Sequence, residues 1–322
     1  MFGRFGCEEG AKTLARRRSF LRNAGEYLLA RSILGSMSLL PSPCIPAASR
    51  LCGRILYRVL SGRRRVVHEN LALVKDASGF SPDPAVVGRQ SFASLCRSFL
   101  ELTHLPKRLD VAATHFTFRD GPTQEEVLRI AREDGPIVFA GCHFGAYEAA
   151  VLYASVVSVE ASVLVRPLDN PWLEAFLNSR RTRHGQRIVG NKGGIRDLSR
   201  DLKSGRSVGV MTDINQRGPN AFFVNFFGVQ AATAGTAAIL AWRRGRPLVP
   251  YFIHRGAKPM HFEVEITPPI WPDQTAEREA EVQRLLQAVT DRQEARIRAT
   301  PGEWMWTHRR FKSRPTEEMK TS

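Results

Sequence analysis

The stretch Pro136-Ile137-Val138-Phe139-Ala140-Gly141-Cys142-His143-Phe144-Gly145-Ala146-Tyr147-Glu148 decides the fold. Its first half is an apolar run of strand length, of the kind buried on both faces of a sheet. The run stops at His143. Gly145 then offers a chain reversal ahead of a helical pattern that carries Glu148. Strand, turn and helix in that order make the unit of an α/β sheet, where ligands bind beyond the carboxyl ends of the strands. His143 stands at such an end.

Outward from this stretch the same alternation continues. Apolar runs over 161–166, 207–212, 248–253 and 261–266 join the strand at 136–142. Helical patterns over 171–184, 194–203, 233–244 and 276–299 join the helix at 145–156. They predict an α/β fold with a mixed central sheet flanked by helices. Upstream, 83–101 reads as helix after a loop with Pro and Gly around 78–84, and no internal repeat stands out. The expected organisation is a helical, membrane-associated segment over 1–62, an α/β catalytic domain over 63–315 and a polar tail over 316–322.

With 43% hydrophobic residues in 322, the chain can bury a sizeable core. Its net charge of +16 calls for a polyanionic partner: nucleic acid, an anionic membrane surface, or an acidic protein or substrate. The charge is unevenly placed, since Glu26 is the only acidic residue between Lys12 and Arg65. A plain solvated Arg-rich face is the alternative meaning. Residues 27–40 are apolar but carry Arg31, and Pro41, Pro43 and Pro46 then interrupt them. That favours a helix lying in a membrane interface over one that crosses it. Over 47–60, Arg50, Arg54 and Arg58 form a basic stripe beside Leu51, Ile55, Leu56, Val59 and Leu60. Such a pattern fits an interfacial amphipathic helix and, equally, a surface helix packed on the core. No secretory signal is read at the N-terminus. The five cysteines are scattered without a Cys-x-x-Cys pair, which points away from a disulfide framework and towards a reducing cytosolic side.

The chemistry centres on His143 and Glu148. Within one continuous helix, residues five apart lie roughly 140° from each other. With His143 on the turn before the helix, however, Glu148 can reach back to the imidazole. A carboxylate on one ring nitrogen fixes the tautomer and supports the cation formed when the other nitrogen takes a proton. No enzyme nucleophile accompanies the pair, so the nucleophile would be a substrate hydroxyl. Spacing alone favours a hydrogen-bonded core histidine, and the strand-end position is what shifts the reading towards a base. Other motifs carry less. The Gly-x-Ser-x-Gly run at 205–209 has its helix before and its strand after, the reverse of a nucleophile elbow. The glycine-rich run 190–194 reads as a turn into a helix rather than a phosphate loop. His261, Glu263 and Glu265 share one strand face, read as solvated.

His143 to Glu148 resembles the H-x4-D/E motif of the bacterial lipid A biosynthesis acyltransferases, and further blocks match in order. Val165-Arg166-Pro167 resembles the family's arginine-proline after its second strand. Residues 197–213 (DLSRDLKSGRSVGVMTD) resemble its helix, turn, strand and terminal aspartate. Residues 223–235 (FVNFFGVQAATAG) and 301–315 (PGEWMWTHRRFKSRP) are similar to its FFG segment and closing Trp-x-His-Arg-Arg-Phe-Lys block. The resemblance spans roughly residues 63–315. It implies His143 as general base with Glu148 as its partner, and Arg166 at a developing oxyanion or a substrate phosphate. It also implies a role for Asp213, although Asn215 and Gln216 depart from the Asp-Gln common in the family. The implied reaction is direct attack of a lipid hydroxyl on an acyl carrier protein thioester, without a cofactor, a metal or a covalent acyl-enzyme.

In the closing block, Trp304 and Trp306 suit a membrane interface. His308, Arg309, Arg310, Lys312 and Arg314 offer a cationic surface to phosphorylated headgroups. The alternative there is a segment packed by its tryptophans with incidental charge. The expected partners are acyl carrier protein, a phosphorylated glycolipid acceptor and an anionic membrane surface, not nucleic acid. The expected place is the cytoplasmic face of a bacterial inner membrane, peripheral or monotopic. A rival reading keeps the machinery but changes the acceptor, for example to a phosphatidylinositol mannoside. Another is a non-catalytic basic membrane- or nucleic-acid-binding module, which predicts no cleft between the strand end and the helix.

Overall fold

The computed structural model describes residues 20–190, 193–218 and 220–315. The strands are β1 (Phe116–Phe118), β2 (Val138–Gly141), β3 (Ala161–Val165), β4 (Arg187–Gly190), β5 (Ser207–Met211), β6 (Ala221–Phe226), β7 (Val229–Ala234), β8 (Leu248–Arg255) and β9 (Phe262–Ile266). Seven of them make one sheet in the order β1-β9-β8-β2-β5-β3-β4, and β6 pairs only with β7. Every pairing in the large sheet is parallel except β8 with β9. The expected mixed α/β sheet is therefore present. The apolar runs at 138–141, 161–165, 207–211, 248–255 and 262–266 all became strands, whereas β1, β4 and the hairpin were not foreseen.

Helices cover both faces. They are α1 (Phe20–Met37), α2 (Ile45–Val59), α3 (Ser61–Ser78), α4 (Pro84–His104), α5 (Leu109–Ala113), α6 (Gly121–Arg129), α7 (Ala150–Val156), α8 (Pro171–Arg181), α9 (Gly194–Lys203), α10 (Thr236–Arg244) and α11 (Arg278–Ala299). Asp83 caps α4 by accepting from the Ala85 and Val86 N–H groups. Thr233 and Ala234 belong to β7, so the helix expected from 233 begins at Thr236.

Alternation along the strands divides the core. Val138, Ala140, Val208, Val210 and Leu248 face α9, α10 and α11. Phe139, Val249 and Tyr251 face the opposite way, towards α7 and the segments before β2. A third cluster forms where Trp304, Trp306 and Phe311 pack with Phe226 and Phe227 of the hairpin and with α3 and α4. Trp304 and Trp306 are thus core residues, with ring centroids 4.7 Å apart, and not interfacial anchors. The segment returns to the strand-end turn at 143–145, and burying two indoles there seals its underside.

Gly53 of α2 lies against Ala93 of α4, so close that a Cβ would meet backbone atoms at 2.5 Å. Its other faces leave Leu51, Ile55 and Val59 exposed beside Arg50, Arg54 and Arg58. One face of this helix thus packs on the core, and the rest is exposed, apolar and basic. Cys52 and Cys96 meet across the same contact as free thiols, Sγ atoms 3.3 Å apart. Among the described residues no single helix is long and apolar enough to cross a membrane. Helix α1 and the stretch Ser42–Val59 satisfy length and composition together, but they meet at a 113° bend.

Candidate active site

Three backbone hydrogen bonds and one from a side chain fix the turn after β2. Gly145 N–H donates to the Glu303 carbonyl at 3.1 Å and Ala146 N–H to the Ile253 carbonyl at 2.8 Å. The Ser98 hydroxyl donates to the Gly145 carbonyl at 3.0 Å, and Met305 N–H donates to the His143 carbonyl at 3.1 Å. Gly145 sits at φ +60°, and a Cβ there would meet the Ile253 carbonyl oxygen at 2.2 Å. Only glycine fits. Because these groups are committed to neighbouring segments, the helix expected from 145 is delayed: a single 3-10 turn at Tyr147–Ala149 precedes α7.

That delay changes the partner of the imidazole. Glu148, on the 3-10 turn, gives both oxygens to Arg181 of α8, at 3.0 and 2.6 Å, and makes no hydrogen bond to His143. The reach-back expected from the sequence is replaced by Asp213, at the end of β5, whose Oδ1 accepts from His143 Nδ1 at 2.9 Å. Its Oδ2 accepts from the His143 backbone N–H at 2.8 Å and from Trp304 Nε1–H at 2.8 Å. Burial would raise the Asp213 pKa, but the His143 charge and these donors hold it down to about 2. For His143, burial works against the cation. The Asp213 charge and hydrogen bond, helped by the Glu148 charge and opposed by Arg181, leave its pKa raised. In the neutral ring Nδ1 carries the proton and Nε2 keeps its lone pair, with the side chain 21% exposed.

His143 opens onto a cavity of about 880 Å³. Its sheet side is formed by Phe139, Val163, Met211 and Tyr251, and Glu148, Arg166, Arg181 and His308 add polar groups. Gly209 and Gly141 lie on this same sheet face, and the space exists partly because neither projects a side chain into it. Cys142 is no competing nucleophile: it is buried, and burial with the Asp213 charge pushes its thiol well up. Among the described residues no three His, Cys, Asp or Glu side chains converge as a metal-ligand set would.

The fold, the dyad and the apolar cavity stand together with a match over residues 12–313 to the family described as bacterial lipid A biosynthesis acyltransferase. The chain belongs to that family. It is 25% identical over 288 residues to the lipid A biosynthesis lauroyltransferase of Escherichia coli K12, covering 89% of this chain and 91% of that protein. It is 28% identical over 195 residues to the lipid A biosynthesis acyltransferase of Haemophilus influenzae, covering 59% and 60% respectively. The crystal structure of a 1-acyl-sn-glycerophosphate acyltransferase from Thermotoga maritima is similar over 74% of this chain and 95% of that one, at 15% identity and a TM-score of 0.35. As a member of the lipid A acyltransferase family the chain is an acyltransferase, and the reading as a non-catalytic basic module falls.

The remaining residues singled out in this acyltransferase separate into three groups. Arg166, just past β3, is exposed at the cavity without a side-chain partner among the described residues. Arg309 is exposed, but Arg310 is fully buried and donates to the Ala232 carbonyl at 2.7 Å and to Thr233 Oγ1 at 2.5 Å. It ties the closing block to β7 and offers nothing to a headgroup. His308 is not part of a cationic surface either, since burial lowers its pKa to about 4. Of Asn215 and Gln216, it is Asn215 that meets His308: its backbone N–H donates to His308 Nε2 and its Oδ1 accepts from Ser313 N–H, both at 3.0 Å, while Gln216 N–H donates to the Ala232 carbonyl. Glu265, expected on a solvated face, is buried beside His254 and is paired with Arg296. The turn at 190–194 does lead into α9 through Gly193 at φ +76°, while Asn191 and Lys192 lie outside the described residues. Two contributors to the site were not foreseen, Arg181 and the indole N–H of Trp304. Arg181 carries no local signature in an Arg-rich helix end, and Trp304 was read for its ring rather than its donor.

Proposed function

We propose that the chain moves a fatty acyl group from an acyl carrier protein thioester to a hydroxyl of a lipid A precursor, with His143 as general base and Asp213 as its partner. The observation that carries this reading is the His143–Asp213 dyad opening its free Nε2 onto an apolar cavity. A fatty chain gains about 0.8 kcal/mol per methylene buried, so such walls favour a lipid donor. The base takes the acceptor proton, and no cofactor or covalent acyl-enzyme enters the scheme. Glu148 and Arg181 form a neutralised pair on the cavity wall that shapes the field around His143. Arg166 and Arg309, exposed and cationic, suit phosphate groups on the acceptor.

The net charge of +16 suits an acidic carrier protein, and the exposed apolar and arginine faces of α1 and α2 suit an anionic bilayer. These features support peripheral or monotopic placement on the cytoplasmic face of the inner membrane. The test is transfer by purified wild type and His143→Ala with acyl carrier protein thioester and defined glycolipids. Loss of about 10²–10⁴-fold in the variant is expected. Undiminished transfer sinks the assignment. Product mass names the chain and the acceptor, so a phosphatidylinositol mannoside product would redirect the acceptor reading alone.

A further inference from the structure

We infer that His308 is a neutral hydrogen-bond donor to the carbonyl oxygen of the reacting thioester, acting through Nδ1–H opposite the base His143. The inference rests on the acyl-transfer reading and gives a role to a residue that reading leaves idle. Its first support is wiring. The backbone N–H of Asn215 donates to His308 Nε2 at 3.0 Å. A backbone N–H can only donate, so Nε2 must present its lone pair, and the single proton of the neutral ring lies on Nδ1. Nδ1 has no hydrogen-bond partner among the described residues, and the ring lines the same cavity as His143.

The second support is symmetry of purpose in one short loop. Asp213 holds Nδ1 of His143, and two residues later Asn215 holds Nε2 of His308. The two rings are therefore wired in opposite senses: His143 leaves a free acceptor and His308 a free donor. Their backbones are linked as well, since Met305 N–H donates to the His143 carbonyl at 3.1 Å and His308 N–H to the Met305 carbonyl at 3.3 Å. The ring stays neutral for reasons visible around it. Burial lowers its pKa first, and the charges of His143, Arg310 and Arg63 add to this, against Asp213 alone. A neutral donor in a water-poor site strengthens as the oxygen becomes anionic, without a proton changing hands. Arg166, exposed to solvent, is less suited to that task.

The reaction then balances as follows. The acceptor O–H proton passes to His143 Nε2 as the oxygen bonds to the thioester carbon. The C=O electron pair moves onto oxygen, where His308 Nδ1–H donates to it. Collapse re-forms C=O and breaks C–S, and the departing thiolate takes the proton back from His143. The products are an ester and a free carrier thiol.

Two variants separate a donor from a structural ring. Asparagine places an amide N–H near the position of Nδ1, whereas glutamine places its oxygen near Nε2, where it can still accept from Asn215. His308→Asn is expected to keep kcat within about tenfold of wild type, and His308→Gln to lose about 10²–10³-fold in kcat with little change in KM. A glutamine variant that matches or exceeds the asparagine variant in kcat overturns the role. Independently of turnover, ¹⁵N chemical shifts of the wild-type histidines at pH 7 should show His308 protonated on Nδ1 alone. A protonated Nε2 overturns the inference. Absence of transfer by wild type overturns the acyl-transfer reading itself, whereas transfer by wild type with failure of the variant pattern removes the role of His308 only.

Discussion

Asp213 is only 2% exposed and accepts three hydrogen bonds, two from His143 and one from Trp304, so its charge is committed to holding His143 in place. Asp213→Asn removes that charge while keeping the volume. The base should then fall in pKa, because burial is left with only the weaker Glu148 and Arg181 contributions around it. We expect the acid limb of the rate–pH profile to move to lower pH while the plateau drops about 10³–10⁴-fold, as an amide no longer enforces the tautomer. An unmoved acid limb would count against the dyad. The same linkage has two opposite signatures in stability. The lowered Asp213 contributes stability above its ordinary 3.8 that is lost as pH falls towards about 2. The raised His143 contributes stability below its ordinary 6.5 that is lost as pH rises through its folded value. Little of this was legible in local spacing. His143 and Asp213 lie 70 residues apart, and their meeting is set by β2 pairing with β5. Reading residues in order found a histidine at a strand end and a carboxylate five residues on, but pairing across the sheet chose a different carboxylate.

The elements were readable in proportion to how apolar they are. Central strands β2, β5 and β8 are buried on both faces and announce themselves as continuous runs. Edge strands β1 and β4 are short and half-polar, and β6 and β7 pair away from the main sheet, so none showed the pattern. Gly209 in β5 shows what the apolar run concealed. A Cβ at 209 would touch only the Val163 methyls at 3.5 and 3.9 Å, ordinary contact, so the strand has room for a Cβ on its cavity face. Gly209→Val should fold normally and fill part of the cavity beside Val163. The mass profile of transferred chains should shift by one or more methylenes towards shorter donors. An unchanged profile would place the chain elsewhere than along the sheet.

At the scale of the molecule, the excess charge was legible in its magnitude but not in its use. Arg255 and Arg310 are consumed inside the fold, paired with Glu101 or backbone, and Arg296 is held at the surface by Glu265. Arg50, Arg54 and Arg58 are exposed, on a helix that also exposes Leu51, Ile55 and Val59. Each arginine near an anionic surface is worth about 1 kcal/mol. Replacing all three with Gln should therefore weaken binding to phosphatidylglycerol vesicles about a hundredfold and leave binding to neutral vesicles nearly unchanged. Equal loss on both vesicle types, or none, would show that this face does not meet the bilayer.

The return of residues 303–313 to the strand-end turn has a consequence for how the enzyme comes into being. Trp304 completes the hydrogen bonds of Asp213 from 91 positions downstream, and Arg310 and Ser313 brace the same corner. A chain emerging from the ribosome can pair β2 with β5 and still lack the indole, the second imidazole and the floor beneath them. On the proposed mechanism, catalytic competence is therefore expected late in synthesis, once the closing block docks. A nascent chain short of that step would, on the same mechanism, hold a scaffold whose base is not yet braced, and it should not spend acyl donor.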